Sequence, residues 1–309
     1  MSDPGLTPFA GSSLRVLRNA PLARYTTFRV GGPADWLVLA QNAADVKAAV
    51  QAARDARLPV TIIGGGSNLL VADAGVRGVV VRVHGGEARQ VSDTLIRADA
   101  GLTINGLVRW TINRGFAGLE AWAGTPGTLG GAVYGNAHFK GRLIGELIDE
   151  VELLDARGEV VNVSSGDMEF GYDTSRLQRT REVLMSATFR VARADPAALR
   201  ATARDSLAYR KRTQPLDTPS AGCIFQNPQP GVDVVPDGIP CSAGALVDRA
   251  GLKGVREGGA VVSAAHGNFI VNDGTAAAED VRRLIERCRR EVRERYAVEL
   301  RDEIVYVGF

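Results

Sequence analysis

The stretch "PVTIIGGGSNLLV" (residues 59–71) decides the fold. Its first half is an apolar, β-branched run of strand length, and its second half is a glycine-rich exit that leads into another short apolar run. Upstream, "DWLVLA" (35–40) reads as a strand. Asn42 then caps a helix in which Val46, Ala49, Val50 and Ala53 recur at helical spacing. Downstream, "GVVVRV" (78–83) is a further strand. The β-α-β order puts the glycines at the end of a buried strand, a usual place for a ligand in mixed sheets.

Glycine is the informative excess, with 36 of 309 residues, well above the usual ~7%. The glycines cluster in "VGGPAD", "IGGGSNLLV", "AGTPGTLGGAVYGNA" and "EGGAVV". Glycine clustered beside strands suggests backbone N–H groups lining a phosphate site. "GGGSNL" lacks the Gly-Lys-Ser/Thr of a P-loop and the final Gly or Ala of the dinucleotide fingerprint, and "GTPGTLGG" has the wrong spacing for that fingerprint. Two such loops about 60 residues apart are either structural turns or the two sides of one extended diphosphate site.

The rest of the composition narrows the class. The length allows two or three domains, and 45% hydrophobic with 23% charged residues is ordinary for a globular protein. The net charge is +2 and no basic tract interleaves with aromatics, so nucleic acid is not an expected partner. The basic run 282–295 is the wet face of a helix. No apolar run is long enough to cross a bilayer, and "MSDPGLTPFAGSS" lacks the pattern of a leader. Cys223, Cys241 and Cys288 are odd in number, without CxxC spacing. They argue against disulfides and zinc and for a reducing cytoplasm.

Further along, residues 103–114 read as a helix, 123–137 as a long small-residue loop, 150–163 as a hairpin and 183–191 as a strand. Pro196 lies near a helix start. Residues 258–273 carry two short strands, Thr275 caps a C-terminal helix with Cys288 on its apolar stripe, and "DEIVYVGF" closes the chain as a strand. Cys223, in "SAGCIFQNP" (220–228), is either a small core residue or a thiol held at a site.

Seven motifs in order resemble one family: "RYTTFRVGGPADWLV", "IGGGSNLLV", "AGTPGTLGGAVYGNA", "PSAGCIFQNP", "SAGALVDRAGLKG", "HGNFIVNDG" and "VELRDEIVYVG", spanning roughly residues 24 to 308. The chain is similar to the UDP-N-acetylenolpyruvoylglucosamine reductases, of their second type. The resemblance implies an α+β fold: a two-lobed FAD-binding module of vanillyl-alcohol-oxidase type at 1–195 (lobes about 1–84 and 85–195), then an α+β substrate domain at 196–309 with a C-terminal catalytic strand. It implies NADPH-dependent reduction of the enolpyruvyl ether of UDP-N-acetylglucosamine through FAD, for peptidoglycan. The cytoplasm is the implied compartment, with a UDP-sugar as ligand and no obligate protein partner. The alternatives are an FAD oxidoreductase of this fold with another substrate, or an impaired flavin-binding protein.

On that resemblance, Gly64, Gly65, Gly66, Ser67, Asn68 and Leu69 hold FAD together with Gly124, Thr125, Pro126, Gly127, Thr128, Gly130, Gly131 and Asn136. Cys223 takes the place of the family's usual serine proton donor, and a thiol with a pKa near ~8.5 can serve. Glu303 matches the catalytic glutamate, with Asp302 facing the other way. Tyr172, Arg212, Gln214 and Asn227 are the substrate contacts. His84 follows a strand and reads as a loop residue, His138 sits near the flavin loop, and His266 fills a motif position read as structural; a lone histidine is more often hydrogen-bonded structure than catalyst. One position departs from the family: "GYDTSRL" (171–177) has Asp173 where an arginine is usual, and "NAHFKG" (136–141) stands for the more usual "NAGAYG". Arg142 and Arg176 are the expected replacement cations.

Overall fold

The computed structural model describes residues 8–309; residues 1–7, which carry part of the leader reading, lie outside the described residues. The chain forms two compact units. One comprises the described residues up to Ala20, Asp35–Gly65 and Arg77–Ala208; the other comprises Pro21–Ala34, Gly66–Val76 and Tyr209–Phe309. A single cut at 195/196 does not describe this arrangement, because two short segments find their partners far along the chain. Leu69–Val71 pairs in parallel with Val305–Val307, and the Asn272 side chain donates to Phe28 O at 2.8 Å.

The first unit is built on two sheets. One has the order Arg15–Pro21, Pro33–Ala40, Val76–Val83, Val60–Ile63, the last two parallel. The helix Ala43–Asp55 begins where Asn42 accepts from Asp45 N, as expected, and buries Val46, Ala49, Val50 and Ala53. The other sheet is antiparallel, with Ile148–Leu154 between Val160–Ser164 and Val183–Arg190, followed by Leu95–Asp99 and Ala88–Gln90. The helix Ile104–Asn113 starts at Thr103, whose hydroxyl accepts from Gly106 N. The stretch read as one long loop contains a short helix, Leu129–Tyr134. Leu129, Ala132 and Val133 are buried at helical spacing, and that packing overrides the poor helix propensity of Gly130 and Gly131.

In the second unit, Ala260–Val262 lies antiparallel between Arg256–Glu257 and Ile270–Asn272. The helix Ala278–Tyr296 buries Val281, Leu284, Ile285, Cys288 and Val292. Thr275 does not cap it: its N–H and hydroxyl both go to Asp273 Oδ1. The first helical amides, Ala278 and Glu279, instead meet the carboxylate of Asp73 at 2.8 and 3.0 Å, a cap supplied by tertiary structure. None of the three cysteines is in a disulfide. Burial pushes Cys288 up to about 12, as fits an inert core residue. Among the described residues no helix is long and apolar enough to cross a membrane.

Candidate active site

In the first unit the two glycine loops meet backbone to backbone. A Cβ on Gly65 would lie 2.7 Å from Gly127 Cα, and one on Gly64 would lie 2.1 Å from Thr128 Oγ1. Gly124 and Gly127 have φ of +83° and +98°, where side chains are disfavoured. Three amides expected to face a phosphate are spent inside the protein: Gly124 N on Asn105 Oδ1, Thr125 N on Trp122 O and Gly130 N on Ala100 O. These three backbone amides therefore shape the loop. Pro126 is exposed and Gly131 opens onto free space. Thr128 Oγ1 is buried and has no hydrogen-bond partner among the described residues. A close-packed glycine cradle with an orphaned hydroxyl at its floor fits a polar cofactor. Asn136, also expected at the cofactor, is fully buried, and its amide is committed at both ends, to Gly171 O at 2.7 Å and from Gly145 N at 2.9 Å.

In the second unit the segments that carry Cys223 and Glu303 lie side by side. Glu303 N donates to Ile224 O at 2.8 Å and Gln226 N to Arg301 O at 2.8 Å, with a bridge between Phe225 and Asp302. Asn268 clamps the same strand: its side chain accepts from Phe225 N and donates to Phe225 O, and its carbonyl accepts from Ile224 N. Ala221, Ile224 and Phe225 are buried, whereas Cys223 is half-buried after Gly222 at φ +79°. The thiol is thus held at the edge of the core, not within it. Gly66 belongs to this unit; a Cβ there would lie 2.0 Å from Tyr25 O. Ser67 is half-buried, and Leu69 opens the strand paired with Val305. Asn68 donates its side-chain amide to Glu303 O at 2.9 Å. Asp302 is not a loose surface carboxylate: it takes both oxygens to Arg289 at 2.6 Å. Burial alone would lower Arg289, but hydrogen bonds to Glu286 and Asp302 hold it above its ordinary value.

Comparison with known proteins gives the same outline. A family model for the C-terminal domain of UDP-N-acetylenolpyruvoylglucosamine reductase matches residues 214–307, and one for an FAD binding domain matches residues 34–164. The UDP-N-acetylenolpyruvoylglucosamine reductase of Bacillus velezensis is 39% identical over 95% of this chain and 94% of its own. The chain belongs to this reductase family. The reductase of Bacillus subtilis is 38% identical over the same shares. The crystal structure of the Thermus caldophilus reductase superposes with a TM-score of 0.78 at 33% identity, covering 96% of this chain and all of that one.

Against this reductase family, the departures acquire definite places. Arg176 is bidentate to Glu182 at 2.7 and 2.8 Å, and that hydrogen bonding draws Glu182 below the usual carboxylate range. Its charge is already matched. Arg142 is exposed, its guanidinium 5.5 Å over the Trp122 ring, in an open groove with Glu120, Leu147 and Arg190. The structure sets neither expected arginine against Asp173. Asp173 instead meets His138, Oδ1 to Nδ1 at 3.0 Å, and the His138 ring lies 4.8 Å from that of Tyr172.

Of the expected substrate contacts, Arg212 is exposed, Gln214 half-buried, and Asn227 caps the helix Ala243–Arg249 by accepting from Ala243 N. The residue missed in "YRKRTQP" is Arg210, which is 7% exposed. Burial pushes its guanidinium down, and the Cys223 sulfur works the other way. A helical reading of that run, with Arg210 on the face opposite Arg212, could have singled it out. His266 is structural, as expected: its Nδ1 accepts from Asn268 N, and burial lowers its pKa.

Proposed function

We propose that the protein is an NADPH-dependent, FAD-containing oxidoreductase that reduces UDP-N-acetylglucosamine enolpyruvate to UDP-N-acetylmuramate for peptidoglycan synthesis. The observation that carries this is 38–39% identity to reductases of that name along both units of the chain. FAD binding belongs to the first unit and the UDP-sugar to the second.

The first loop at Gly64 and Gly65 and the second at Gly127 and Thr128 hold the FAD, with the Thr128 hydroxyl as a polar contact. When bound, FAD supplies the hydride chemistry that links NADPH to the enolpyruvyl double bond. The protein's own residues supply the rest. Charge builds on the substrate carboxylate as hydride arrives, so the reaction needs a proton donor and groups that meet the anion. Cys223 gives its thiol proton to the substrate carbon and is left as a thiolate, which water reprotonates in each turnover. Arg210, in electrostatic contact with that sulfur, offsets the negative charge left there. Glu303 acts beside it, positioned by Asn68 and Ile224. Gln214 and the exposed Arg212 serve the UDP diphosphate.

An anaerobic titration tests the reading. The purified protein should be yellow, bleach with NADPH and regain its colour with the UDP-sugar. A flavin that bleaches and never returns would sink the assigned substrate, and a colourless protein that cannot be loaded with FAD would sink the cofactor.

A further inference from the structure

The motif "HGNFIVNDG" (266–274) buries two asparagines, each 3% exposed and each with its side-chain amide committed at both ends. They differ in what they hold. Asn272 donates to Phe28 O at 2.8 Å and accepts from Gly274 N and Ala276 N at 2.8 and 3.1 Å, which closes the turn before the long C-terminal helix. Asn268 is turned toward the segment that carries Cys223. Its Oδ1 accepts from Phe225 N at 2.9 Å, its Nδ2 donates to Phe225 O at 2.7 Å, and its main-chain O accepts from Ile224 N at 2.9 Å. Ile224 is also the residue whose carbonyl accepts from Glu303 N at 2.8 Å.

The need to satisfy buried backbone groups explains why Phe225 has partners, but not why one side chain supplies both. An amide carries a donor and an acceptor in the geometry of a peptide group, so Asn268 stands in for a neighbouring strand. The clamp lies where the thiol needs it. On the side before Cys223, Gly222 stands at φ +79° with open space where a Cβ would be. The chain that enters Cys223 is therefore free of a side chain's steric limits. On the side after it, Ile224 and Phe225 are buried and take all three bonds from Asn268. Asn268 is itself fixed. Its N–H donates to His266 Nδ1 at 3.2 Å, and a Cβ on Gly267 would lie 2.4 Å from Gly244 O in the helix Ala243–Arg249. The backbone that follows the thiol is thus tied to the core of the second unit through one amide.

We propose that Asn268 is a positioning residue of this reductase: by pinning Ile224 and Phe225 it aims the Cys223 thiol at the substrate carbon that receives the proton. The proposal rests on the function proposed above. It gives Asn268 a task in the half-reaction with the UDP-sugar and none in the half-reaction with NADPH.

The test uses flavin-loaded wild type, Asn268→Ala, Asn268→Ser, Asn272→Ala, Cys223→Ala and the Asn268→Ala/Cys223→Ala double variant. Asn272→Ala removes an equally buried amide whose side-chain bonds go elsewhere. Asn268→Ser is the milder change, because a hydroxyl can keep one of the two side-chain bonds to Phe225. Melting temperatures are recorded, and bleaching by NADPH and return of colour with UDP-N-acetylglucosamine enolpyruvate are timed separately. Both asparagine-to-alanine variants should melt earlier than wild type, and bleaching should stay within about twofold of wild type in every variant. The return should slow about 10- to 100-fold in Asn268→Ala and about threefold in Asn268→Ser, and stay within about twofold in Asn272→Ala, since a misplaced reacting group is costly even when it is still present. In the Cys223→Ala background, Asn268→Ala should slow the return by less than about threefold more, because it acts through the thiol. In heavy water the return should slow by a larger factor in Asn268→Ala than in wild type, because proton delivery then limits the step more.

A return rate in Asn268→Ala within about twofold of wild type overturns the proposal. So does equal slowing in Asn272→Ala, which would mark a stability effect, or a full further loss in the Cys223→Ala background, which would mean that Asn268 acts on something other than the thiol. If Asn268→Ala does not fold, the same comparisons are made with Asn268→Ser. A wild type that bleaches but is not reoxidised overturns the function itself, and a Cys223→Ala return as fast as wild type overturns the part given to the thiol. Both are read from proteins in which Asn268 is intact, so these failures are told apart from failure of the clamp.

Discussion

The side-chain amide of Asn68 donates to the main-chain carbonyl of Glu303 at 2.9 Å, across 235 residues of chain. Val305 N returns a bond to Asn68 O at 3.0 Å. A residue of the glycine-rich exit thus fixes the backbone that carries the candidate catalytic glutamate. Asn68→Ala should cost about 1–2 kcal/mol of stability and lower kcat more than it raises KM, because the glutamate loses its aim. Calorimetry and steady-state kinetics on one preparation decide it; an unaltered melting temperature together with an unaltered kcat would refute the role.

Cys223 and Arg210 should behave as a donor and its electrostatic partner. Cys223→Ala should slow reoxidation by the UDP-sugar about 100-fold or more, whereas Cys223→Ser should retain a larger share of the rate. Arg210→Met should slow the same step and spare bleaching by NADPH, and Arg210→Lys should restore it only in part, since an ammonium lacks the planar fork. Rapid-mixing traces of each half-reaction separate these outcomes. A Cys223→Ala rate equal to wild type would remove the thiol from the mechanism.

Arg176 and Glu182 form a structural pair. The Glu182 side chain is 9% exposed and that of Arg176 is 30% exposed. Arg176→Ala leaves a nearly buried carboxylate unpaired and should destabilise the first unit by about 1–3 kcal/mol. Denaturant titration measures this. A midpoint equal to wild type would mean that the pair contributes nothing.

Asp273 gives the fold an acid limb. Hydrogen bonds from Arg256 and Thr275 lower its pKa from 3.8 to about 2. A carboxyl group with a depressed folded pKa contributes stability above its unfolded pKa and loses it as pH falls through the folded value. Its contribution should therefore be complete above about pH 4 and fade toward about pH 2. Asp273→Asn should flatten the stability profile in that window. Melting curves from pH 5 to 2 for both proteins test it, and parallel profiles would show that Asp273 is not the group responsible.

Much of the architecture is legible in local pattern. Asn42 as a cap, the helix after Thr103, the hairpin across Gly158 and the stripe Val281–Leu284–Ile285–Cys288–Val292 follow from periodicity and turn chemistry, which act within a few residues. The motif residues Cys223 and Glu303 could be named without coordinates. Thr275 failed as a cap because Asp73, remote in sequence, satisfies the helix instead. The Asn136 side chain and the Gly124 amide are spent on partners that only folding supplies.

The sequence by itself determined the family, the glycine loops, and the thiol and carboxylate of the site, since each is a matter of residue type in a fixed local spacing. The tertiary structure decided which polar side chains stand beside one another. Arg176 goes to Glu182, Arg210 is buried in electrostatic contact with Cys223, and His138 rather than an arginine meets Asp173. Charges act through space over a few ångströms, and neither distance along the chain nor residue type fixes which of them come that close.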